Sequence, residues 1–326
     1  MSHSEARAAR KPSRLGLWAP FAFAVLLVLA WSGAWLWLER ETEQRLDGAV
    51  AALRADGDAV AWGRLRVGGY PFRLDLDFDN LRLAEPSGWA LAAAQLKTEA
   101  YAWAPMRWIL VAPRGIAFAR PGGGAVRVGA LVLRASMEDW SASPPHLVVE
   151  GKEVTFAPMA GGRWFPVSSA AKLVLATRAG PRDQGAIYLK LDQARGRLTD
   201  LLAGVAERGP FTLTANLVFN HASAARGRDW PALVRAWSRA GGSLQVVQLS
   251  LATGESRLGA RAGAFTVGAD GQVSGRLEAS LGSAPAPTVS SRTAAAEGPA
   301  RHVVIDFQDG RTRLGPVIVG PAPRLF

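Results

Sequence analysis

The chain carries two patterns of hydrophobic and polar positions, one confined to its start and one repeated through the rest. Residues 15–38 read LGLWAPFAFAVLLVLAWSGAWLWL and contain no ionisable side chain. A helix of this length spans ~36 Å, which exceeds the roughly 30 Å hydrocarbon core of a bilayer. Tryptophans stand near both ends of the stretch, as is typical of the two membrane interfaces. Residues 15–38 therefore predict a transmembrane anchor.

The flanks of the anchor indicate its orientation. Residues 1–14 carry four basic side chains and one acidic one: Arg7, Arg10, Lys11, Arg14 and Glu5. Short basic segments stay on the cytoplasmic side, so we expect a cytoplasmic N-terminus and export of everything after the anchor. The alternative is a signal peptide cleaved at Ser32-Gly33-Ala34. The apolar run is longer than a signal peptide needs and continues past that site, which favours a retained anchor.

After the anchor, residues 39–58 place Leu46, Val50 and Leu53 at helical spacing, which predicts a helical stalk that continues the membrane helix. From about Ala59 the period changes to two. Four separated runs alternate apolar and polar residues, as half-buried strands do. Their apolar positions are Phe72, Leu74, Leu76 and Phe78; Ile187, Leu189 and Leu191; Phe211, Leu213, Ala215, Leu217 and Phe219; and Val273, Leu277, Ala279 and Leu281.

Turn signals separate the strand runs. Gly122-Gly123-Gly124, Asp270-Gly271 and Asp309-Gly310 predict tight hairpins. Helices are few: Asp229-Trp230-Pro231 has the cap and first-turn proline of a helix start, and a short helix is expected after Thr199.

These patterns predict a mainly β fold. It comprises an N-terminal transmembrane helix and stalk, followed by antiparallel β meanders that form a large curved sheet or an open sandwich with few helices. We divide the exported part into a first half at 59–208 and a second half at 209–326, with a flexible linker at 282–299 that is rich in Ser, Ala, Pro and Thr.

Composition limits the chemistry of the exported part. The chain has no cysteine, which excludes disulfides, thiolate nucleophiles and cysteine metal sites. Its net charge is +11, and 34 basic against 26 acidic side chains remain after residue 38, a net charge of +8. That charge suits an anionic surface. The alternative is a general bias of composition toward arginine, alanine and glycine, in which the charge has no functional role. The sequence has no basic tract interleaved with aromatic residues, so we expect no nucleic-acid binding.

Candidate catalytic and metal motifs fail on spacing. Asp75, Asp77 and Asp79 imitate the start of a calcium loop, but Pro86 stands where the bidentate glutamate belongs. The four histidines are isolated, no Gly-x-Ser-x-Gly elbow occurs, and the glycines at 122–124 are followed by a strand pattern. We therefore expect a protein that is not an enzyme, with no catalytic, cofactor-binding or metal residues and no cofactor.

The Gly-Gly-Tyr-Pro-Phe-Arg-Leu strand at 68–74 and the ending at 309–323, DGRTRLGPVIVGPAP, resemble domain-of-unknown-function family 2125. The resemblance implies a bacterial protein tethered to the inner membrane, with its C-terminal domain in the periplasm, and offers no catalytic residues. The anchor, stalk and long meander are also similar in architecture to AsmA-like envelope proteins, which implies a role in envelope upkeep or lipid movement.

Two functions remain open at this point. One is cell-envelope maintenance through lipid or acyl-chain contact in an apolar groove, formed by the sheet faces that carry Phe72, Leu74, Leu76, Phe78, Phe211, Leu213, Leu217 and Phe219. The other is a non-enzymatic periplasmic scaffold that binds envelope proteins through its sheet edges and surface. The tryptophans after the anchor either line such a groove or fill the core.

Overall fold

The computed structural model of the chain describes residues 15–86, 88–121, 123–139, 142–163, 165–197, 209–254, 256–283 and 301–326. Within these ranges a long N-terminal helix precedes eighteen strands that join in one antiparallel sheet. The predicted mainly β fold is confirmed. The predicted short helix after Thr199 and nearly all of the predicted linker at 282–299 lie outside the described residues, apart from 282 and 283, which end a strand.

Helices and strands follow one another in a simple order along the described chain. Helix α1 covers Leu15–Ala55 and helix α2 covers Trp230–Arg239, with a short 3-10 turn at Ala222–Ala224 before α2. The strands are β1 Ala59–Ala61, β2 Arg64–Gly68, β3 Arg73–Ala84, β4 Ala90–Tyr101, β5 Ala104–Val111, β6 Ile116–Arg120, β7 Gly124–Gly129, β8 Val132–Glu138, β9 His146–Pro158, β10 Val167–Gly180, β11 Gln184–Gly196, β12 Phe211–Asn220, β13 Leu244–Thr253, β14 Ser256–Val267, β15 Val273–Ser283, β16 Arg301–Gln308, β17 Arg311–Leu314 and β18 Val317–Pro321.

Helix α1 combines the predicted anchor and stalk in a single element of 41 residues. Its first part is long and apolar enough to cross a membrane. Its last turns lie along the sheet, where Val50 is buried and Leu46 packs against Leu76, Phe78 and Leu81. The β fold therefore contacts the stalk at Leu46 and Val50.

Strand β3 shows why the alternating pattern gives a sheet. Leu74, Leu76 and Phe78 are buried, and the intervening aspartates at 75, 77 and 79 lie on the opposite face. Asn80 adopts a left-handed conformation with φ of 55°, and the burial alternation shifts by one residue there, so Leu81 is buried next.

The sheet is a meander that is interrupted between β4 and β9, where two pairs of short strands lie side by side. Strands β1 and β2 both pair with β3, and β3 pairs with β4. The start of β4 then pairs with β6 and its end with β5, while β9 pairs with β7 and β8 in the same divided way. Two half-length pairs, β5–β8 and β6–β7, thus fill the sheet between β4 and β9. From β9 to β18 each strand pairs with the next.

The predicted hairpin turns are confirmed at the described positions. Asp309 and Gly310 are the two residues between β16 and β17, and both have positive φ, 52° and 71°. That combination matches the twist of a two-residue hairpin. Asp270-Gly271 lies between β14 and β15, and Gly123 between β6 and β7.

The core is distributed along the sheet in several apolar clusters. One cluster centres on Phe211 and Leu251, another on Val246 and Phe265. A further cluster joins Val234 and Trp237 of α2 to residues of the sheet and to Phe326. Helix α2 therefore covers one end of strands β12, β13 and β14.

Candidate functional site

A cleft of about 1070 Å³ separates the start of α2 from the strands of the first half. One side is formed by the end of α1, by β1, and by residues at the junction of β3, β4 and β6. The other side is formed by residues 225–230 and Leu233. Since these two sides lie several strands apart in the sheet, the sheet must curve back on itself to bring them together.

Three aromatic rings form the apolar wall of the cleft. Trp89 lies between Phe118 and Trp230, with ring centroids 5.4 Å and 6.1 Å away. The pair of tryptophans meets at an interplanar angle of 72°, the edge-to-face arrangement that aromatic rings prefer. Leucines at 53, 83, 91 and 233 extend this wall.

The local sequence holds Trp230 in place. Asp229 caps α2, because its carboxylate accepts a hydrogen bond of 2.7 Å from the backbone N–H of Ala232, and Pro231 occupies the first turn. The indole N–H of Trp230 donates to the backbone carbonyl of Leu325 at 2.8 Å. The predicted helix start is confirmed, and it delivers one aromatic side chain to the cleft.

Charged residues of both signs also line the cleft. Asp56, Asp58, Glu85 and Asp229 are acidic, and Arg226 and Arg228 are basic. The lining therefore does not form a purely basic anion site. An apolar wall beside a few polar groups fits an amphipathic ligand with an apolar chain. Among the described residues, no three His, Asp or Glu side chains come close enough together to hold a metal ion.

The eight residues predicted to form a groove lie elsewhere. Leu74, Leu76 and Phe78 are buried on β3, and Phe72 is exposed at the preceding turn. On β12, Phe211 is buried, whereas Leu213, Leu217 and Phe219 pack at the margins of three different clusters. None of the eight lines the cleft. Ligand contact at these residues stays a prediction.

The sequence did not single out Phe118, and it indicated Trp89 only as one of the tryptophans after the anchor. The capping signal at Asp229 was sufficient to place Trp230 at a helix start. No local signal links Trp89 to Trp230, because their contact depends on how the whole sheet curves.

Comparison with known proteins supports the family resemblance. A family model described as "Uncharacterized protein conserved in bacteria (DUF2125)" matches residues 35–286, which is most of the chain. Neither the curated proteins nor the solved structures gave a match. The match begins inside the last part of the apolar run and covers the cleft, including Trp89, Phe118 and Trp230.

Proposed function

The chain belongs to the DUF2125 family of bacterial proteins of uncharacterised function, and we propose that it helps to maintain the cell envelope by binding an acyl chain or lipid in the cleft. It is anchored in the inner membrane by α1, with its N-terminus in the cytoplasm and its sheet in the periplasm. It acts by binding, without catalysis, and needs no cofactor.

The continuous aromatic wall carries this proposal. Trp89, Phe118 and Trp230 present adjoining ring faces and edges to a cleft of about 1070 Å³. Small-molecule sites in proteins are mostly apolar clefts of ~300–1,000 Å³ with a few polar groups, and this cleft is slightly larger than the upper end of that range. An acyl chain would cover the apolar wall, while its head group would meet the charged residues.

The position of the cleft along α1 defines how a lipid would reach it. Leu53 lines the cleft and lies fifteen residues beyond Leu38, where the apolar run ends. At 1.5 Å per residue this is ~22 Å along the helix axis. A ligand in the cleft has therefore left the bilayer, so the activity would be to shield or carry a lipid outside the membrane.

A photoactivatable fatty acid tests this proposal on the full-length chain in nanodiscs. We expect labelled peptides that contain Trp89 and Trp230, and strongly reduced labelling of those peptides in Trp230→Ala. Asp229 still caps α2 in that variant, and a thermal unfolding curve verifies its fold. Leu131→Ala is the control and should leave the labelling of those peptides unchanged, since Leu131 is an exposed apolar residue in the turn between β7 and β8, outside the cleft. Labelling that avoids the cleft peptides, or is unchanged in Trp230→Ala, would contradict the proposal.

One observation favours a scaffold as the second candidate. In the described part of the chain, β18 pairs along its length only with β17, and Val317, Ile318 and Val319 are exposed on it. An exposed edge strand can accept a strand from another protein. This alternative predicts photo-crosslinks from residue 318 to a particular envelope protein, their loss in Val319→Lys, and no acyl-chain labelling of the cleft.

A further inference from the structure

One turn of the sheet lies against the apolar part of α1, and a second turn lies beside the first. The β2–β3 turn contains Gly69, Tyr70, Pro71 and Phe72, and the β4–β5 turn follows Tyr101 with Ala102 and Trp103. The turns are joined by the backbone N–H of Ala102, which donates to the carbonyl of Phe72 at 2.9 Å. We call residues 69–72 and 101–103 the aromatic tip.

Three side chains of α1 hold the aromatic tip. The indole N–H of Trp31 donates to the carbonyl of Pro71 at 2.9 Å, and the indole N–H of Trp35 donates to the carbonyl of Arg73 at 2.9 Å. The hydroxyl groups of Ser32 and Tyr70 are hydrogen-bonded at 2.8 Å. Trp35 is only 6% exposed and meets the Tyr70 ring edge-on at 5.3 Å. The tip is thus fixed at a defined height on the helix.

The composition of the aromatic tip differs from that of the strands above it. Residues 69–72 and 101–103 include four large aromatic side chains and none that is charged at neutral pH. Phe72 and Trp103 are 61% and 63% exposed, and Tyr101 stacks on Trp103 with ring centroids 4.8 Å apart. Charged groups begin at Arg73, whose guanidinium forms an ion pair of 3.0 Å with Glu99 on the neighbouring strand. An exposed aromatic patch bordered by charges is typical of a surface that contacts something apolar.

We propose that the aromatic tip is inserted into the interfacial region of the bilayer, in the leaflet on the side of the sheet. The residues of α1 that hold the tip, 31–35, belong to the apolar run that ends at Leu38. At 1.5 Å per residue, Trp31 lies ~10 Å below the end of that run. When α1 spans a membrane, Phe72 and Trp103 therefore lie at the level of the head groups and the first acyl carbons.

This depth suits the chemistry of the aromatic tip. Tyrosine and tryptophan are enriched at membrane interfaces because their rings are apolar and their polar groups find partners there. Burial of interfacial segments to a depth of ~5–10 Å is typical of proteins that lie on a membrane. Because the tip is held against the membrane-spanning part of α1, the lipid bilayer itself covers its exposed rings, and no further partner is needed. The inference is independent of what binds in the cleft.

The absence of cysteine from the chain makes a direct test possible. Phe72→Cys and Trp103→Cys each accept one environment-sensitive fluorophore in the full-length protein. The protein is reconstituted, one copy per nanodisc, in phosphatidylethanolamine and phosphatidylglycerol. Val247→Cys is the matched control, because Val247 is also an exposed apolar residue but lies on β13.

The expected result is a blue-shifted emission at positions 72 and 103, with strong quenching by lipids that carry a nitroxide near the head group and weak quenching by iodide in solution. The probe at position 247 should show the reverse. Iodide quenching at 72 and 103 equal to that at 247 would overturn the proposal. Protection from both quenchers would also overturn it, since protein would then cover the tip.

Discussion

Leu76 shows how much of the fold depends on single positions of the alternating pattern. It is 6% exposed and lies on the face of β3 where Phe78, Leu81 and Leu46 of α1 meet. Its two neighbours in sequence, Asp75 and Asp77, lie on the other face. A change at position 76 therefore affects the packing of the sheet and of the helix together.

We expect Leu76→Asp to be severely destabilising, because it places an unpaired carboxylate in an apolar cluster. Burial of such a group costs about 3 kcal/mol or more, even after structural relaxation. The measurement is urea unfolding of the full-length chain in detergent micelles. Asp77→Asn is the control and should change the free energy of unfolding by less than about 0.5 kcal/mol. Equal stability of the two variants would contradict burial at position 76.

Asp183, in the turn between β10 and β11, contacts Ser223 in the turn after the neighbouring strand β12 and gives the stability an acid dependence. The backbone N–H and the hydroxyl of Ser223 both donate to its carboxylate at 2.8 Å, which lowers the pKa of Asp183 below its usual value. Since the pKa is lower in the folded state than in the unfolded state, the ionised carboxylate stabilises the fold at neutral pH. That contribution is lost as the pH falls from about 4, the ordinary value for Asp, through the lowered pKa.

The prediction for Asp183→Asn follows from that sign. The variant should be less stable than the original chain at pH 7, and the difference should shrink as the pH falls below about 4. Chemical unfolding at a series of pH values measures it. A difference that stays constant, or that grows in acid, would show that the Ser223 contacts do not favour the charged form.

At the scale of elements, α1 is attached to the sheet at two separate heights. The lower contacts are those of Trp31, Ser32 and Trp35 with residues 70–73. The upper contacts are made by Leu46 and by Arg54, whose guanidinium donates to the carbonyl of Val60 at 2.8 Å. Both sets of contacts can form together only if the helix between them keeps its length and its rotation about the helix axis.

A single alanine inserted after Glu43 tests this register. It turns one half of α1 by ~100° relative to the other and lengthens it by ~1.5 Å, so one set of contacts is lost. We expect a lower thermal midpoint and faster proteolysis near residues 56–58. Glu43→Ala, at an exposed position that keeps the helix length, should behave like the original chain. A free-standing stalk, by contrast, would tolerate the insertion without effect.

Elements were predictable where the signal is local. Alternation over β3, β11, β12 and β15 predicted strands, and the cap at Asp229 predicted α2 to within a residue of its start. The divided pairing of β4 and β9 was not predictable. The four short strands β5 to β8 have ordinary alternating patterns, and such a pattern identifies a strand without indicating which other strand it pairs with. The left-handed conformation of Asn80 was not predictable either, since its effect on β3 is to shift the alternation of buried and exposed residues by one position.

At the scale of the whole molecule, the sequence predicted which strand faces are apolar but not where the folded chain forms a cleft. Leu76 on β3 and Phe211 on β12 were correctly placed on apolar faces, and the structure puts them in separate filled clusters. The cleft arises instead where the curved sheet brings Trp89 close to Trp230. That approach depends on the twist added by every intervening strand, which no local pattern expresses.

The fixed height of the sheet on α1 bears on whether the anchor is retained. Cleavage after Ala34 would remove Trp31 and Ser32, which bind Pro71 and Tyr70 of the aromatic tip. We therefore expect the mature protein to keep residues 1–34 and to stay in the membrane fraction after an alkaline wash. N-terminal sequencing is the measurement, and a soluble mature form that begins near Trp35 would contradict retention.

The orientation of the whole molecule should follow from the charges beside the anchor. Residues 1–14 hold four basic side chains and one acidic one, while residues 39–47 carry both signs in a mixed cluster. Basic flanks stay in the cytoplasm, so alkaline phosphatase fused after Phe326 should be active and β-galactosidase fused there should be inactive. Replacing Arg7, Arg10, Lys11 and Arg14 with glutamate removes the bias and should lower the phosphatase activity several-fold. Activity of the galactosidase fusion in the original chain would place the sheet in the cytoplasm, and the cleft would then have no access to periplasmic lipid.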